Sequence, residues 1–390
     1  MHVTLVDPSN FTLPYDYALA SALLEHGCQV SILKRMDRAN EQGAPDGVLD
    51  IEHFYGLTEG HRDFLKRIRL FTPAKLVEHV IDLSLMNKLL RELKTDLVHY
   101  QWLVVPWLDK RLLAPVIRRL PTVLTVHDTR LYHGSSTGLV QARGWMDAIR
   151  SIDNVIVHTK SSYEKLRTAG VPEKALTIIP HGTLAIDGCP IKSKIHASTQ
   201  IAGEKVLTLL LFGYLKNYKG LDTVANAIEL LDAESLRLIR IVIAGKPNDE
   251  VLPTLQRLKA LLPPASIELD LRFLPEADLA QHIEEADVVL FPYHRIDASG
   301  AFMATLPFGK IVIASRVGVF TEYLVHRKNG MLFSGGSASE LAAYIDAVAN
   351  DANLRRTLKN GALDLAVKIP GWGEIARQTM CVYERASRDE

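Results

Sequence analysis

Lys216 and Lys219 follow a short apolar run, Leu207–Phe212, across a turn that starts at Gly213 and closes at Gly220. Two ammonium groups three residues apart, where a strand gives way to a helix, suit an anion with more than one phosphate. Lysine is a compact point charge, and the N–H groups of a helix start add partial positive charge. A second segment, Pro292–Ser315, answers the first. There Ser299 and Gly300 open a helix, Ala301–Pro307, with a strand beyond it at Ile311–Ala314. A serine at that point caps the helix, and the same N–H groups can still receive an anion. One exposed lysine after a strand reads as ordinary solvated charge; the pair with its flanking glycines, matched by a second turn, reads as a diphosphate site.

Other candidates are weaker alone. His127-Asp128 ends a strand, at the carboxyl edge where α/β sheets bind ligands, although a lone histidine there is more often structural. His181-Gly182 follows Ile178-Ile179-Pro180 near the middle of the chain and can face the same space. HExxH, a Walker A loop and a spaced carboxylate pair are missing from the sequence, which removes support for zinc protease and kinase chemistry.

The elements that must position these residues alternate. His2–Val6 reads as a strand, Pro14–His26 as a helix with proline in its first turn, and Gln29–Lys34 as the next strand. Helices at Leu83–Leu93, Trp107–Arg119 and Ser162–Ala169 alternate with strands at Asp96–Tyr100, Thr122–His127 and Asn154–Thr159. The periodicity fades over Leu184–Glu204, a candidate linker. A new series of strands begins at Val206–Phe212 and continues with Leu238–Ala244, Ile267–Phe273, Val288–Pro292 and Ile311–Ala314. A last helix, Trp372–Ala386, follows the break at Ile369-Pro370-Gly371. The pattern is α/β with doubly wound parallel sheets, in two similar domains joined by a linker with a cleft between them.

Composition agrees. A chain of 390 residues with 47% apolar content can bury two cores. Forty-five acidic residues balance 45 basic ones, so no global field favours nucleic acid. Three scattered cysteines, Cys28, Cys189 and Cys381, give neither a disulfide framework nor a zinc site and fit a reducing, cytoplasmic compartment. No apolar run approaches the roughly 18 residues that span a bilayer. The stretch His61–Phe71 reads as one short basic amphipathic helix, with Phe64, Ile68 and Phe71 opposite Arg62, Lys66 and Arg69. It could rest on an anionic membrane face, or simply cover a core.

Taken in order, these residues resemble the retaining glycosyltransferases of family 4, which have the GT-B fold of two facing Rossmann-like domains with a deep cleft. FGYLKNYKGLD looks like the family's donor-phosphate turn. AFMATLPFGKIVIAS, then Val317-Gly318, Thr321-Glu322 and the NGMLF of Asn329–Phe333, looks like its best-preserved block. TVHD (Thr125–Asp128) and IIPHG (Ile178–Gly182) match in the first half, and the helix at Trp372 resembles one that crosses back to the first domain. Three departures stand out. Tyr214 follows the turn glycine where the family often has arginine; Ile296 and Ala304 occupy the positions of two glutamates; and the loop PSNFTLPYDY lacks a glycine pair. A branch with Ser-Gly in that turn is the better likeness.

The resemblance implies an acceptor domain at 1–184, completed by 371–390, and a donor domain at 185–370. It implies a metal-independent hexosyltransferase without a cofactor, using a nucleoside diphosphate sugar, GDP-mannose ahead of UDP-hexoses. The acceptor would be a saccharide, lipid-linked, in cell-surface or exopolysaccharide synthesis, so that the protein is cytoplasmic and peripheral at the inner face of the membrane. Gly213, Tyr214, Lys216, Lys219, Lys246, Leu274, Ser299, Gly300 and Glu322 would hold the donor, and His127 would join Lys216 and Lys219 in catalysis. Tyr15, Asp16, Asp128 and His133 would shape the acceptor side. A GT-B sugar-nucleotide epimerase or phosphorylase, and an inactive nucleotide-sugar-binding partner, are the alternatives; the missing glutamates speak against the epimerase and for the inactive partner.

Overall fold

The structure, a computed structural model, describes residues 1–37, 43–129, 144–184, 186, 200–201 and 204–388. The chain separates into two compact units, Met1–Gly182 with Pro370–Glu390, and Thr183–Ile369. The candidate linker Leu184–Glu204 lies mostly outside the described residues.

The first unit is built on seven parallel strands: β1 (His2–Asp7), β2 (Gln29–Arg35), β3 (Leu49–Phe54), β4 (Leu97–Tyr100), β5 (Thr122–Val126), β6 (Asn154–Val157) and β7 (Leu176–Ile178). Their order is β3-β2-β1-β4-β5-β6-β7, so the winding reverses between β1 and β4. In a parallel sheet with both faces covered, strands are apolar almost throughout, and Val3, Leu5, Val6, Leu97, Val98, Val123 and Leu124 are indeed sealed off. Helix α1 (Leu13–Glu25), with Pro14 in its first turn, packs against the C-terminal helix Trp372–Arg388. That helix buries Ile375, Ala376, Thr379, Val382, Tyr383 and Ala386, a stripe at helical spacing.

Two helical expectations need correction here. The basic stretch His61–Phe71 is not one helix. After α2 (Gly56–Gly60), α3 (Arg62–Arg67) stops where Arg69 takes a left-handed φ of 59°. Leu70 N–H then bonds Leu65 O and Arg69 N–H bonds Lys66 O, the paired closure of a helix C-terminus. Helix α4 starts afresh at Phe71 and runs to Glu92, beginning well before Leu83. The helix expected over Trp107–Arg119 breaks into Pro106–Leu112 and Ala114–Ile117, because Pro115 has no N–H to continue the ladder.

In the second unit a short antiparallel pair, β8 (Gln200–Ile201) and β9 (Glu204–Lys205), precedes a six-stranded parallel sheet. Its strands are β10 (Leu207–Phe212), β11 (Ile239–Ala244), β12 (Ile267–Asp270), β13 (Val288–Phe291), β14 (Ile311–Ser315) and β15 (Met331–Phe333). The order β12-β11-β10-β13-β14-β15 again reverses beside the first strand, between β10 and β13. Successive residues of β10 feed opposite layers: Leu207, Leu209 and Leu211 join one core cluster, Leu210 and Phe212 the other. All carboxyl ends of the strands lie along one edge, and the candidate donor residues follow them. Among the described residues no helix is long and apolar enough to cross a membrane.

Candidate active site

In the second unit, β10 ends at Phe212 and the chain turns at Gly213, whose φ is 97°. A side chain there would be strained, and its Cβ would fall 2.6 Å from Lys219 Nζ. Gly220 closes the turn at φ 73°, where a Cβ would stand 1.8 Å from the Pro292 carbonyl oxygen. Glycine at both ends thus lets the turn fold back against β13's exit and tuck Lys219 beneath itself. Lys219 is only 5% exposed. Its Nζ donates to Phe212 O at 2.9 Å and lies 5.3 Å above the buried Tyr293 ring. Burial, and then the charge of Lys216, bring its pKa down to about 7. Burial also lowers the pKa of Lys216, against a partial pull upward from Glu250, and its ammonium sits 5.1 Å from the half-exposed Tyr214 ring. Among the described residues neither lysine has a salt bridge.

The neighbouring loops are tied to this turn. Leu215 N–H bonds Lys246 O at 2.9 Å and Asn248 N–H returns to Leu215 O at 3.0 Å, which fixes the loop after β11. His294 N–H bonds Tyr218 O at 2.8 Å, fixing the exit of β13. Ser299 caps the helix Gly300–Thr305, its Oγ accepting from Phe302 N–H at 3.2 Å, and its hydroxyl also bonds Tyr293. Tyr293 therefore carries Lys219 on its ring and Ser299 on its oxygen. Burial holds its own hydroxyl far above the ordinary tyrosine pKa, so it stays a neutral phenol. Val319 N–H bonds Asp297 O at 3.0 Å, which brings in the short helix Val319–Tyr323 with exposed Glu322 in its first turn. Leu274 follows β12 and is partly buried.

The first unit is arranged differently. His127, just past β5, is buried together with His158, His181 and Tyr15, with Trp372 partly buried beside them, and the Tyr15 ring lies 4.9 to 5.2 Å from each of the other four. His158 Nδ1 donates to Ile179 O at 3.0 Å, leaving its Nε2 to meet His127 Nδ1 at 3.1 Å. His127 Nε2 faces the Gln101 side-chain amide at 3.0 Å. These three contacts each need one hydrogen, while two neutral imidazoles carry only two. Burial pushes His127 well below the usual histidine pKa and His158 down to about 3, so the pair stays neutral. The third hydrogen requires the Gln101 amide to present its otherwise unpartnered NH2 group in place of the Oε1 that faces His127 Nε2. Both ring nitrogens of His127 are engaged inside the unit.

Tyr15 and Asp16 are interior residues. Asp16 Oδ1 accepts from the Thr12 hydroxyl at 3.5 Å, and burial, followed by the charge of Asp7, raises the pKa of Asp16 well above its ordinary value. Asp7 in turn accepts from the N–H groups of Ser9 and Thr12 at 3.2 and 3.1 Å, holding the loop after β1 without the glycine pair. Asp128 is partly exposed beside His127, and His133 lies outside the described residues. The structure thus gathers Gly213, Tyr214, Lys216, Lys219, Lys246, Ser299, Gly300 and Glu322 along one edge of the second sheet. Tyr293 went unnoticed in the sequence because a tyrosine at a strand exit reads as core; only its place between the two turns distinguished it. Among the described residues no group of three or more His, Cys, Asp or Glu could hold a metal ion.

Both units are parallel α/β sheets that reverse beside their first strand, and comparison with known proteins gives the class. Residues 192–364 match the glycosyl transferases group 1 family, and residues 15–183 match Glycosyltransferase Family 4. The D-inositol 3-phosphate glycosyltransferase of Jonesia denitrificans is 26% identical, over 95% of this chain and 90% of its own. Among solved structures, Anabaena HepE in complex with UDP and glucose superposes with a TM-score of 0.69 at 17% identity, covering 99% of this chain and 100% of that one. Sucrose-phosphate synthase from Thermosynechococcus elongatus reaches 0.73 at 15% identity, each chain covered completely. The chain belongs to the GT-B glycosyltransferases of the group 1, family 4-like type.

Proposed function

We propose that this transferase moves a hexose from a nucleoside diphosphate sugar to a saccharide acceptor, with retention at the anomeric carbon and without a metal. The observation that carries the reading is Lys219: a lysine buried against a carbonyl and an aromatic ring, beside Lys216, with no salt bridge among the described residues. An ammonium desolvated in this way gains most when an anion arrives. As the glycosidic bond breaks, negative charge grows on the leaving diphosphate, and Lys219, Lys216 and the N–H groups at Ser299-Gly300 stabilise it there. The leaving phosphate then takes the acceptor's hydroxyl proton while the sugar is attacked on the face it leaves from. No protein nucleophile is required, which agrees with Ile296 and Ala304 at the positions of the family's glutamates.

Glu322 meets a ribose or sugar hydroxyl, and backbone groups at Lys246 and Leu274 meet the base. His127 contacts the sugar as a neutral ring and is too weak a base to take a proton. We assign donor binding to 185–370 and acceptor binding to 1–184 with 371–390. Tyr15 and Asp16 act there by supporting the loop after β1, and Asp128 and His133 by facing the acceptor, a saccharide on a lipid carrier at the inner face of the membrane. Because HepE is described with UDP and glucose, UDP-glucose is the first donor to try, with GDP-mannose second. Ile296 and Ala304 favour one other reading, a nucleotide-sugar-binding protein without turnover.

Calorimetric titration with UDP, GDP, ADP and their hexose conjugates, in the presence of EDTA, tests the site. Selective binding lost in Lys219→Ala supports it, and no binding by any nucleotide overturns it. Release of nucleotide to a saccharide acceptor, with the product anomer read by NMR, separates the transferase from the inactive partner.

A further inference from the structure

In the loop after β1 the Phe11 ring is 52% exposed, while the chain on either side of it is fixed. The Asp7 carboxylate accepts from the N–H groups of Ser9 and Thr12, and its carbonyl from Asn10 N–H at 3.3 Å. Asn10 takes a left-handed φ of 52°, and its Oδ1 accepts from Arg35 N–H at 3.1 Å, which ties the loop to the end of β2. The loop is thus pinned on both sides of a ring that water can reach. Apolar surface held ready in this way gains free energy when a ligand covers it, because little ordering remains to be done.

A second ring meets Phe11 from the neighbouring loop. The winding reverses between β1 and β4, so the chains leaving these strands diverge and open a crevice at their carboxyl ends, where α/β sheets take ligands. Trp102, two residues past β4 and partly buried, has its ring centroid 5.3 Å from that of Phe11 with the planes at 73°, so the two form a corner. Trp102 Nε1–H donates to Thr12 Oγ1 at 3.0 Å, and that hydroxyl donates on to Asp16 Oδ1 at 3.5 Å. The neutral His127 ring, 5.5 Å away and inclined by only 17°, steadies Trp102 from the end of β5. Both walls of the corner are set before any ligand arrives. The loops that carry them, 8–12 and 101–105, contain no charged residue. Beside them Asp7 is spent on the loop's N–H groups, and the buried Arg35 guanidinium lies on the carbonyls of Ser9 and Met36 at 3.3 and 2.6 Å. A phosphate or carboxylate finds no counter-charge on these two loops. The π face of an aromatic ring is negative and attracts C–H groups made positive by neighbouring oxygens. A pyranose presents such a face, apolar over the ring and edged by hydroxyls.

We infer that Phe11 and Trp102 form a stacking subsite for the apolar face of an uncharged pyranose, which selects the sugar of the acceptor that receives the transferred residue. The inference rests on the proposed transfer to a saccharide acceptor and adds the ring chemistry that the first unit takes: a neutral hexose in preference to a phosphorylated or carboxylated one. Binding of a glycoside to this corner is read without donor or turnover, and binding of nucleotide is read without glycoside, so the two readings fail separately.

The test is saturation-transfer NMR of the full chain with the methyl glycosides of glucose, galactose and mannose and with glucose 6-phosphate, each with and without UDP. On irradiation of the aromatic protons, the hydrogens on one face of a bound glycoside should be enhanced above those on the other. Phe11→Ala should raise the dissociation constant of that glycoside, and its KM as acceptor, roughly tenfold, with kcat and nucleotide affinity little changed. Phe11→Tyr keeps a ring and should restore binding, which a loop needed only for folding would not require. Because Phe11 is exposed, its truncation leaves the core intact, and it keeps the inference falsifiable where Trp102→Leu folds poorly. Three results overturn it: none of the glycosides binds with or without UDP, both ring faces are enhanced equally, or glucose 6-phosphate binds as tightly as the glycosides and Phe11→Ala changes neither.

Discussion

The two units bury ionisable groups in opposite ways. In the first, His99, His127, His158 and His181 are kept neutral and find their partners within the unit: His99 between Tyr383 and Thr125 at 2.7 Å each, and the others on carbonyls, Gln101 and one another. In the second, Lys219 is buried with a single carbonyl and a ring for company, next to another cation. Both sets are perturbed by desolvation, yet only one is left electrically incomplete. A shifted pKa by itself therefore does not mark a site; a shifted pKa with an unmet charge is what singles out Lys219 as the candidate to test.

The comparison can be broken most sharply at Lys219. Lys219→Ala should lower kcat by a factor on the order of 10² to 10³ if the ammonium stabilises the leaving group, with a smaller loss of nucleotide affinity. The equivalent change in the histidine set, His158→Gln, should alter stability more than turnover. Steady-state kinetics beside urea unfolding distinguishes them, and an unaffected kcat in Lys219→Ala would erase the distinction. Next in size is the acid response of the first unit. Its histidine pKa values are depressed, His181 to about 4 and His99 and His158 to about 3, so the unfolded chain binds more protons below 6.5. Stability contributed by neutral burial is therefore present above 6.5 and is lost as pH falls toward 3 to 4. His181 alone accounts for roughly 3 kcal/mol of that loss. Urea unfolding of the protein from pH 7 to 4.5 should show it, and a flat profile would mean that these rings titrate in the folded protein as they do in the unfolded chain.

A smaller effect is expected from Tyr293→Phe, which keeps the ring under Lys219 and removes the hydroxyl bonded to Ser299. Turnover should fall about tenfold, with a stability change of about 1 kcal/mol. The smallest effect sharpens the Lys219 assignment. At pH 8 a lysine with a pKa near 7 is mostly neutral, and a bound diphosphate favours its charged form. Binding should then take up as much as about one proton, and affinity should weaken as pH rises above 7. Calorimetry in two buffers of different ionisation enthalpy measures the uptake, and Lys219→Arg should abolish it.

The sheets were largely legible in the sequence, because buried parallel strands are short apolar runs between turns, as at Leu207–Phe212 and Val288–Phe291. The turn after β10 was legible for a related reason: Gly213 and Gly220 take left-handed φ values, and a Cβ on Gly220 would collide with the Pro292 carbonyl oxygen. What escaped was set by contacts distant in sequence. Helix α4 hid its start because its polar residues point inward, so its period misleads. Tyr293 and Asp7 have ordinary neighbours in the chain, and their importance comes from Lys219, Ser299 and Asp16, which only folding brings near.

The bond between His99 and Tyr383 joins residues 284 positions apart. Between them lies the whole of the second unit, a continuous segment from Thr183 to Ile369. During synthesis that segment can collapse as soon as it leaves the ribosome, whereas the first sheet, though made earlier, waits for the helix Trp372–Arg388 to cover Tyr15 and His99. The half of the protein translated first is thus the half completed last, exposing its apolar seam throughout elongation, where chaperones or an early stop codon would be felt most.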